Sequence, residues 1–322
     1  MTIRVAIAQA EAGPSLEEGL HRTDVLAGEA ADRGAQLVVF PETWIPGYPA
    51  WLDVCRDVAL WDHAPVKEVY ARYADGSVDV SGPAGLVLRE IAARHGLTLV
   101  TGVSERVSAG PGRGTLYNAL LVIGPDGRLL NHHRKLVPTY TERMVWGNGD
   151  AEGLRAVDTP IGRLGGLICW EHWMPLARQA LHDSGEDVHI ALWPMVHERL
   201  QLASRHYAFE GRCFVLAAGS VLRAVSLPAG LAVDPARVPA ASALVLRGGS
   251  AIIGPDGNYV APPVLDEAKL LVADLDLAAV RREQMSLDVA GHYSRPDCLE
   301  LSIRTAGRRE VADRVAPAPA AT

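Results

Sequence analysis

The chain has 322 residues, 48% of them hydrophobic and 21% charged, which are ordinary proportions for a globular protein and exclude disorder over most of its length. Its formal net charge of −7 argues against a nucleic-acid or anionic-membrane partner. No run of about 18 apolar residues occurs, so we expect no segment that spans a bilayer.

The four cysteines, Cys55, Cys169, Cys213 and Cys298, lie far apart and show neither a CxxC pair nor the spacing of a zinc site. The apolar stretch at residues 3–9 is short and leads into a Gly-Pro turn, which predicts a buried first strand and not a secretory signal. Together these features predict a reducing, cytoplasmic setting in which thiols stay free.

Strand-like and helix-like segments alternate from the start of the chain. Ser15 and Glu18 have the spacing of a capping box, and Gly34 stands where the helix that they begin should end. Two Gly-Pro-Asp-Gly turns predict β-hairpins. The pattern predicts an α/β fold of layered sheets and helices. The further predicted strands are 37–40, 97–103, 164–168, 189–193 and 214–218, and the further predicted helices are about 84–95, 175–182 and 199–211.

Nothing in the composition divides the chain, which predicts one domain over residues 1–305. Residues 221–248 are rich in proline and small residues and are expected to form a surface excursion. The low-complexity end, VAPAPAAT, predicts a flexible tail over residues 306–322.

Glu42 follows an apolar run and Pro41 in the segment LVVFPETWIPGYP. Because a proline and its constraint on the preceding residue favour extended backbone, Glu42 should emerge at the carboxyl end of a strand. The flanking Trp44, Ile45 and Tyr48 should surround the carboxylate with apolar material, which raises a carboxyl pKa. Glu42 is therefore a candidate general base that works near neutrality, and an exposed loop glutamate is the ordinary alternative.

Lys135 lies between a β run and Pro138, and Glu142 follows seven residues later. A solvated basic turn over residues 132–135 is the simple interpretation of this segment. The alternative is a buried ammonium paired with a carboxylate, which would stabilise negative charge that develops on a substrate.

Cys169 follows a predicted strand that contains a Gly-Gly pair and precedes a predicted helix. Such a turn exposes a cysteine, and nearby backbone N–H groups can stabilise a thiolate or an oxyanion. The other three cysteines lack this context and are expected to be core thiols. No GxSxG elbow and no HExxH spacing points to a serine hydrolase or to a metal site.

These segments together resemble the nitrilase superfamily of carbon–nitrogen hydrolases, and its nitrilase branch in particular. The matching words are FPETWIPGYP, RKLVPTYTER, GGLICWEHWMPLAR and DVAGHYSRPD, in that order and over about residues 3–300. The chain departs from the family at residues 150–153, where Asp-Ala-Glu-Gly replaces a common Gly-Asp-Gly-Ser. The resemblance implies a four-layer α-β-β-α sandwich.

The resemblance also implies a mechanism for hydrolysis of a small-molecule nitrile. Glu42 would accept the thiol proton, and Cys169 would attack the nitrile carbon to give a thioimidate and then a thioester. Lys135 would stabilise charge, and Glu142 would orient Lys135. Neither a cofactor nor a metal is implied.

Five further residues are expected to line the substrate pocket, and their apolar character favours an aromatic, arylaliphatic or aliphatic nitrile. Packing within the sandwich is an equal alternative for Trp193. The resemblance also implies a homo-oligomer, either a dimer or a larger spiral. The predicted pocket residues are Tyr48, Trp146, Trp170, Trp193 and Pro194.

Two other functions stay open at this point. An aliphatic amidase or a cyanide-degrading hydrolase could use the same groups, since amide hydrolysis takes one step fewer. A non-catalytic ligand-binding scaffold could keep the sandwich without the chemistry, although the joint presence of the glutamates, the lysine and the cysteine argues against it.

Overall fold

Strands and helices alternate along residues 1–305, which the computed structural model describes. The strands are β1 (Thr2–Gln9), β2 (Leu37–Ile45), β3 (Thr98–Arg106), β4 (Leu116–Ile123), β5 (Leu129–Arg134), β6 (Val157–Thr159), β7 (Gly162–Ile168), β8 (Val188–Leu192), β9 (Phe214–Ala218), β10 (Val221–Arg223), β11 (Leu244–Ile253), β12 (Tyr259–Leu265) and β13 (Lys269–Asp276). The helices are α1 (Leu16–Asp32), α2 (Trp51–Val54), α3 (Ala64–Asp75), α4 (Pro83–His95), α5 (Pro175–Asp183), α6 (Glu198–Gly211) and α7 (Ala278–Gln284). Short 3₁₀ helices occupy Tyr140–Met144, Cys169–Trp173 and Ala224–Ser226.

The strands form two sheets. The first sheet has the order β13-β1-β2-β3-β4-β5, in which β1, β2 and β3 are parallel to one another. The second has the order β10-β11-β9-β8-β7-β6, with β12 added beside β11 and with β7, β8 and β9 parallel. Both predicted hairpins are confirmed, since β4 pairs with β5 and β11 pairs with β12 in the antiparallel sense.

The alternation of side chains along each strand produces the layers. In β1, Val5 and Ile7 belong to the apolar cluster shared with the second sheet, whereas Ala6 and Ala8 pack with α1 and α4. Helices α5 and α6 pack on the second sheet in turn. The predicted α-β-β-α sandwich is therefore confirmed, and its inner core lies between the two sheets.

Strand β2 is longer than its sequence predicts, because it continues to Ile45 instead of ending near residue 40. Its register against β3 shifts between Phe40 and Ile45. Gly102 on β3 makes room for this irregularity, since a Cβ there would overlap the carbonyl oxygen of Pro41. The irregular pairing admits a proline to a buried strand and places Glu42 within the strand, not beyond its end.

The segment 221–248 is only partly irregular, because β10 and the start of β11 flank it. Its middle is tied to the end of α2, where Arg56 N donates to Ala232 O at 2.9 Å and Asp234 N donates to Val54 O at 2.8 Å. The apolar cluster formed there includes Trp146. The segment 221–248 therefore packs against the surface beside Trp146, one of the predicted pocket residues.

The remaining expectations have mixed outcomes. Cys55 and Cys213 are buried as predicted, but Cys298 is exposed. The prediction of a core thiol is wrong there because Cys298 follows α7 in an exposed, irregular stretch. No helix within residues 1–305 is long and apolar enough to cross a membrane. The predicted tail, residues 306–322, lies outside the described residues.

Candidate active site

Four side chains that the sequence singles out converge between the two sheets. Lys135 Nζ lies 3.0 Å from Glu42 Oε1 and 2.6 Å from Glu142 Oε2. One donor atom each from Glu42, Glu142 and Cys169 lies within 4.8 Å of the other two. All four residues are at most 4% exposed. The interpretation of residues 132–135 as a solvated turn is therefore wrong for Lys135.

Both sheets supply the site. Glu42 lies in β2 and Lys135 directly follows β5, so these two come from the first sheet. Cys169 begins the 3₁₀ helix that follows β7 of the second sheet. The backbone N–H of Glu42 also donates to Trp193 O at 3.4 Å, which joins the sheets beside the site.

The two oxygens of the Glu42 carboxylate have different surroundings. Oε1 accepts from Lys135 Nζ and, at 2.7 Å, from Asn118 Nδ2. Oε2 is buried and has no hydrogen-bond partner within residues 1–305. Burial raises the pKa of Glu42 to about 7, although Lys135 and Asn118 oppose the rise. One oxygen is thus fixed, and the other is available to accept a proton.

Lys135 donates to two carboxylates, those of Glu42 and Glu142. Burial alone would lower the pKa of this ammonium, but Glu42, Cys169 and Glu142 outweigh burial and raise the pKa above its ordinary value. Glu142 is itself fixed by the N–H of Thr139 at 2.7 Å and by the Tyr48 hydroxyl at 3.1 Å. The ammonium therefore stays charged and keeps one position.

The Cys169 backbone has a φ of +54°, which is unusual for a residue with a side chain and is typical of functional sites. Burial and the Glu42 carboxylate raise the pKa of its thiol well above the ordinary value, and Lys135 opposes this rise. The resting thiol is therefore neutral, and it can become a nucleophile only if a neighbouring base takes its proton.

A chain of buried polar groups leads away from Cys169. His172 Nδ1 lies 2.7 Å from Cys169 O, and His172 Nε2 lies 3.0 Å from His189 Nε2. Because a carbonyl only accepts and burial lowers the pKa of His172, Nδ1 donates and Nε2 accepts from His189. His189 Nδ1 in turn lies 2.9 Å from Glu186 Oε2, and a Cβ at Gly165 would overlap that oxygen. Gly165, the first residue of the Gly-Gly pair, thus makes room for this chain.

The predicted pocket residues do not form a single wall. The ring of Tyr48 lies 6.3 Å from that of Trp146, near Glu142. Trp193 is fully buried and stacks on the His172 ring at 4.6 Å, behind the Cys169 turn. Trp170 is 55% exposed, and Pro194 is half-buried just beyond β8.

Within residues 1–305, the donor atoms of Glu42, Glu142 and Cys169 lie close enough together to surround a metal ion. The Lys135 ammonium already donates to both carboxylates. A metal ion would have to displace that ammonium. The two carboxylates therefore suit the Lys135 side chain better than a metal ion.

Comparison with known sequences decides the family. The family model named Carbon-nitrogen hydrolase matches residues 4–283. The chain belongs to the carbon–nitrogen hydrolases. Three relatives of this hydrolase are a nitrilase from Paraburkholderia phymatum, an aliphatic nitrilase from Sinorhizobium fredii and a bifunctional nitrilase/nitrile hydratase from Lupinus angustifolius. They are 38%, 39% and 38% identical over 88%, 93% and 88% of this chain and over 81%, 95% and 81% of their own lengths.

Solved structures support the same fold. A carbon-nitrogen hydrolase from Helicobacter pylori G27 superimposes with a TM-score of 0.67 over 92% of this chain and 97% of its own, at 19% identity. Nit3 of Saccharomyces cerevisiae, a member of branch 10 of the nitrilase superfamily, gives a TM-score of 0.69 over 91% and 97%, also at 19% identity. At such identities the likeness concerns the sandwich alone.

Proposed function

We propose that this hydrolase is a nitrilase that converts an organic nitrile to a carboxylic acid and ammonia. The observation behind this proposal is the buried Glu42 carboxylate, with one oxygen fixed by Asn118 and Lys135 and the other unpartnered within residues 1–305. The Cys169 sulfur lies within 4.8 Å of an oxygen of this carboxylate, and its resting thiol is neutral. Relatives named as nitrilases, at 38–39% identity, support the same activity.

The first half of the reaction forms a thioimidate. Glu42 Oε2 accepts the thiol proton while the Cys169 sulfur attacks the nitrile carbon, and the proton passes to the nitrile nitrogen. One C–N π bond is replaced by a C–S bond, so no other reactant is consumed. The Lys135 ammonium stabilises the negative charge that develops on nitrogen.

The second half of the reaction uses two water molecules. Glu42 activates the first water, which adds to the thioimidate carbon; the C–N bond then breaks, ammonia leaves and a thioester remains. The second water attacks the thioester, the C–S bond breaks, and the proton returns to the Cys169 thiol. Glu142 takes no proton in this scheme and serves to hold Lys135 in place.

The substrate class follows from the groups around the site. We propose that Tyr48 and Trp146 contact the substrate next to Glu142, and that Trp170, Trp193 and Pro194 border the pocket on the Cys169 side. These surfaces suit an uncharged, apolar nitrile, either aromatic, arylaliphatic or aliphatic. The relative from Sinorhizobium fredii is named for aliphatic substrates.

Amide is a second product to be measured. The tetrahedral species formed by the first water can expel ammonia to give the thioester, which the second water converts to the acid, or it can expel the cysteine thiol to give the amide. The bifunctional nitrilase/nitrile hydratase from Lupinus angustifolius is named for both outcomes. The acid-to-amide ratio therefore belongs in any activity assay of this protein.

The decisive experiment compares Cys169→Ala with Cys213→Ala, which removes a buried thiol remote from the site. Both proteins and the parent are offered arylacetonitriles, aliphatic nitriles, cyanide and amides, and ammonia, acid and amide are measured. We expect nitrile hydrolysis and a covalent adduct by intact mass in the parent and Cys213→Ala only. Turnover by Cys169→Ala would contradict the proposal, a preference for amides or cyanide would favour the other hydrolases, and no adduct with any substrate would favour a scaffold.

Three further proposals concern the setting of the enzyme. Residues 1–305 act as one catalytic domain, because neither sheet alone holds both the base and the nucleophile. The four cysteines are free thiols, which suits a reducing cytoplasm. Exposed Leu176 on α5 and Leu202 on α6 favour a homo-oligomer, either a dimer or a larger spiral, which light scattering can measure.

A further inference from the structure

One buried carboxylate connects the two sheets directly beside the reacting groups. Glu171 Oε2 accepts the backbone N–H of Ile168 at 2.8 Å, and its Oε1 accepts the backbone N–H of Leu136 at 2.8 Å. The His133 Nε2 atom lies 3.0 Å and 3.1 Å from the two oxygens. The Glu171 side chain is 1% exposed, and its partners come from both halves of the sandwich.

The partners of Glu171 are sequence neighbours of the reacting residues. Ile168 is the last residue of β7 and precedes Cys169, whereas Leu136 follows Lys135 directly after β5. A single carboxylate therefore fixes the distance between the backbone of the nucleophile and the backbone of the ammonium. Each hydrogen bond to an ionised carboxylate is stronger than a neutral one, so the connection resists small shifts between the sheets.

The charge of Glu171 is stable at this position. Burial would raise its pKa, but His133 and the two backbone N–H groups lower the pKa below its ordinary value. The carboxylate has no exposed oxygen to offer a substrate, and both oxygens accept from donors of the protein. Its effect on the reaction must therefore pass through the positions of Cys169 and Lys135.

We propose that Glu171 is a positioning residue, which holds the strand end that bears Cys169 against the strand end that bears Lys135. The effect on turnover rests on the proposed nitrilase function, whereas the effect on the Cys169 thiol does not. A displacement of about 1 Å between reacting groups can cost about 10²-fold in rate. This role explains why a glutamate two residues after the nucleophile is buried yet lies outside the proposed chemistry.

The experiment compares Glu171→Gln and Glu171→Asp with the control Glu105→Gln. The glutamine offers an NH₂ group where one backbone N–H now donates, and the aspartate withdraws the carboxylate by one methylene. Glu105 is also buried and also pairs with residues of β5, but its partners are Arg134 and His132 and not the Cys169 turn. All variants carry Cys298→Ser, which removes the exposed thiol.

Two readouts separate positioning from general stability. The first is kcat and KM on the best nitrile of the panel, and the second is the rate at which iodoacetamide alkylates Cys169 across a range of pH. We expect both Glu171 variants to lose about 10²-fold in kcat, with KM within about threefold of the parent. We also expect iodoacetamide to alkylate Cys169 more slowly in both variants, with a pH dependence shifted from that of the parent. Glu105→Gln should lower the Tm and leave both readouts within about threefold of the parent.

The possible results either support or overturn the proposal. Folded Glu171 variants with kcat and alkylation profiles like the parent would overturn it, as would losses in Glu105→Gln that match those in Glu171→Gln. If Glu171→Gln does not fold, the alkylation profile of Glu171→Asp decides in the same way. If the parent hydrolyses no nitrile, the proposed function fails, and the alkylation series still tests the position of Cys169.

Discussion

Asn118 Nδ2 lies 2.7 Å from Glu42 Oε1, the same oxygen that accepts from Lys135 at 3.0 Å. Two donors thus hold one oxygen of the carboxylate, while the second oxygen has no partner within residues 1–305. A base must be fixed in orientation and yet keep a free lone pair. The unequal treatment of the two oxygens meets both requirements.

The first prediction concerns the pH dependence of the parent enzyme. Burial raises the pKa of Glu42 to about 7, so the carboxylate binds a proton, and cannot act as a base, below that pH. We expect kcat/KM to rise with pH through about 7 and then to level off, because the raised pKa of Lys135 keeps the ammonium charged on the alkaline side. A stopped or continuous ammonia assay over this range measures the profile, and a fall that begins at neutral pH would contradict it.

The second prediction concerns Asn118→Leu. The amide hydrogen bond lowers the pKa of Glu42, so its removal should raise that pKa further and move the acid limb of kcat/KM to higher pH. Loss of one hydrogen bond to a charged group is worth about 1.5–3 kcal/mol, which also predicts a loss of tenfold or more at neutral pH. Asn131→Ala is the control, because Asn131 is buried on β5 and donates to Gly153 O, away from Glu42. An unmoved acid limb in Asn118→Leu would show that Asn118 does not tune the base.

The third prediction concerns Glu142→Gln. The substitution keeps the shape of the side chain but removes one of the two carboxylates that face the Lys135 ammonium. Because breaking a buried pair leaves an uncompensated charge, we expect a loss of about 3 kcal/mol in the free energy of unfolding and of about 10²–10³-fold in kcat.

Tyr48→Phe provides a graded companion to this variant. It removes only the hydroxyl that donates to Glu142, so its loss in kcat should be about tenfold or less. Tyr73→Phe is the control, since the Tyr73 hydroxyl donates to Gly47 O in the same apolar cluster. Equal kcat values in Glu142→Gln and Tyr73→Phe would refute the role of Glu142.

Local pattern predicts most of this fold because each strand and helix follows its own periodicity. Helices α3 and α7 and strand β13 have no counterpart among the predicted elements. Strand β2 also differs, because the irregular pairing that admits Pro41 depends on Gly102 of a different strand. No local pattern reports a contact of that kind. The exposed Cys298 has the same cause, since burial of a cysteine is decided by the elements that cover it.

The site shows the same division between local and distant information. Glu42 and Cys169 follow apolar runs, so their placement near strand ends is predictable, although β2 continues past Glu42 to Ile45. The burial of Lys135 is not predictable in this way, because a basic segment after a strand is equally compatible with exposure to solvent. The carboxylate that pairs with Lys135 in the interior comes from a different strand, β2. Asn118 leaves a signal that sequence reasoning missed, a lone polar residue within the apolar run of β4. Glu171 belongs to the matching segment GGLICWEHWMPLAR, but its contact with Leu136, which follows β5 of the other sheet, leaves no local signal.

The fourth prediction concerns stability at alkaline pH. Burial alone would lower the pKa of His182, but Glu186 at 3.7 Å and Glu210 at 3.3 Å outweigh it and raise the pKa to about 9. The folded protein therefore keeps a proton that the unfolded chain, with an ordinary histidine, releases above about pH 6.5. This contribution is complete below that pH and disappears as the pH rises through 9.

Between about pH 6.5 and 9, the parent should thus lose about 3 kcal/mol of its free energy of unfolding. The His182→Gln variant is less stable from the start and should not show this loss. Urea unfolding at several pH values measures the difference. His206→Gln is the control, because His206 lies 3.8 Å from the same Glu210 but is 56% exposed, where an ion pair contributes little. If the free energy of unfolding of the parent and of His182→Gln changed in parallel with pH, His182 would be uncharged in the folded protein. Arg178, which lies 2.6 Å from Glu210, would then supply the positive charge that pairs with this carboxylate.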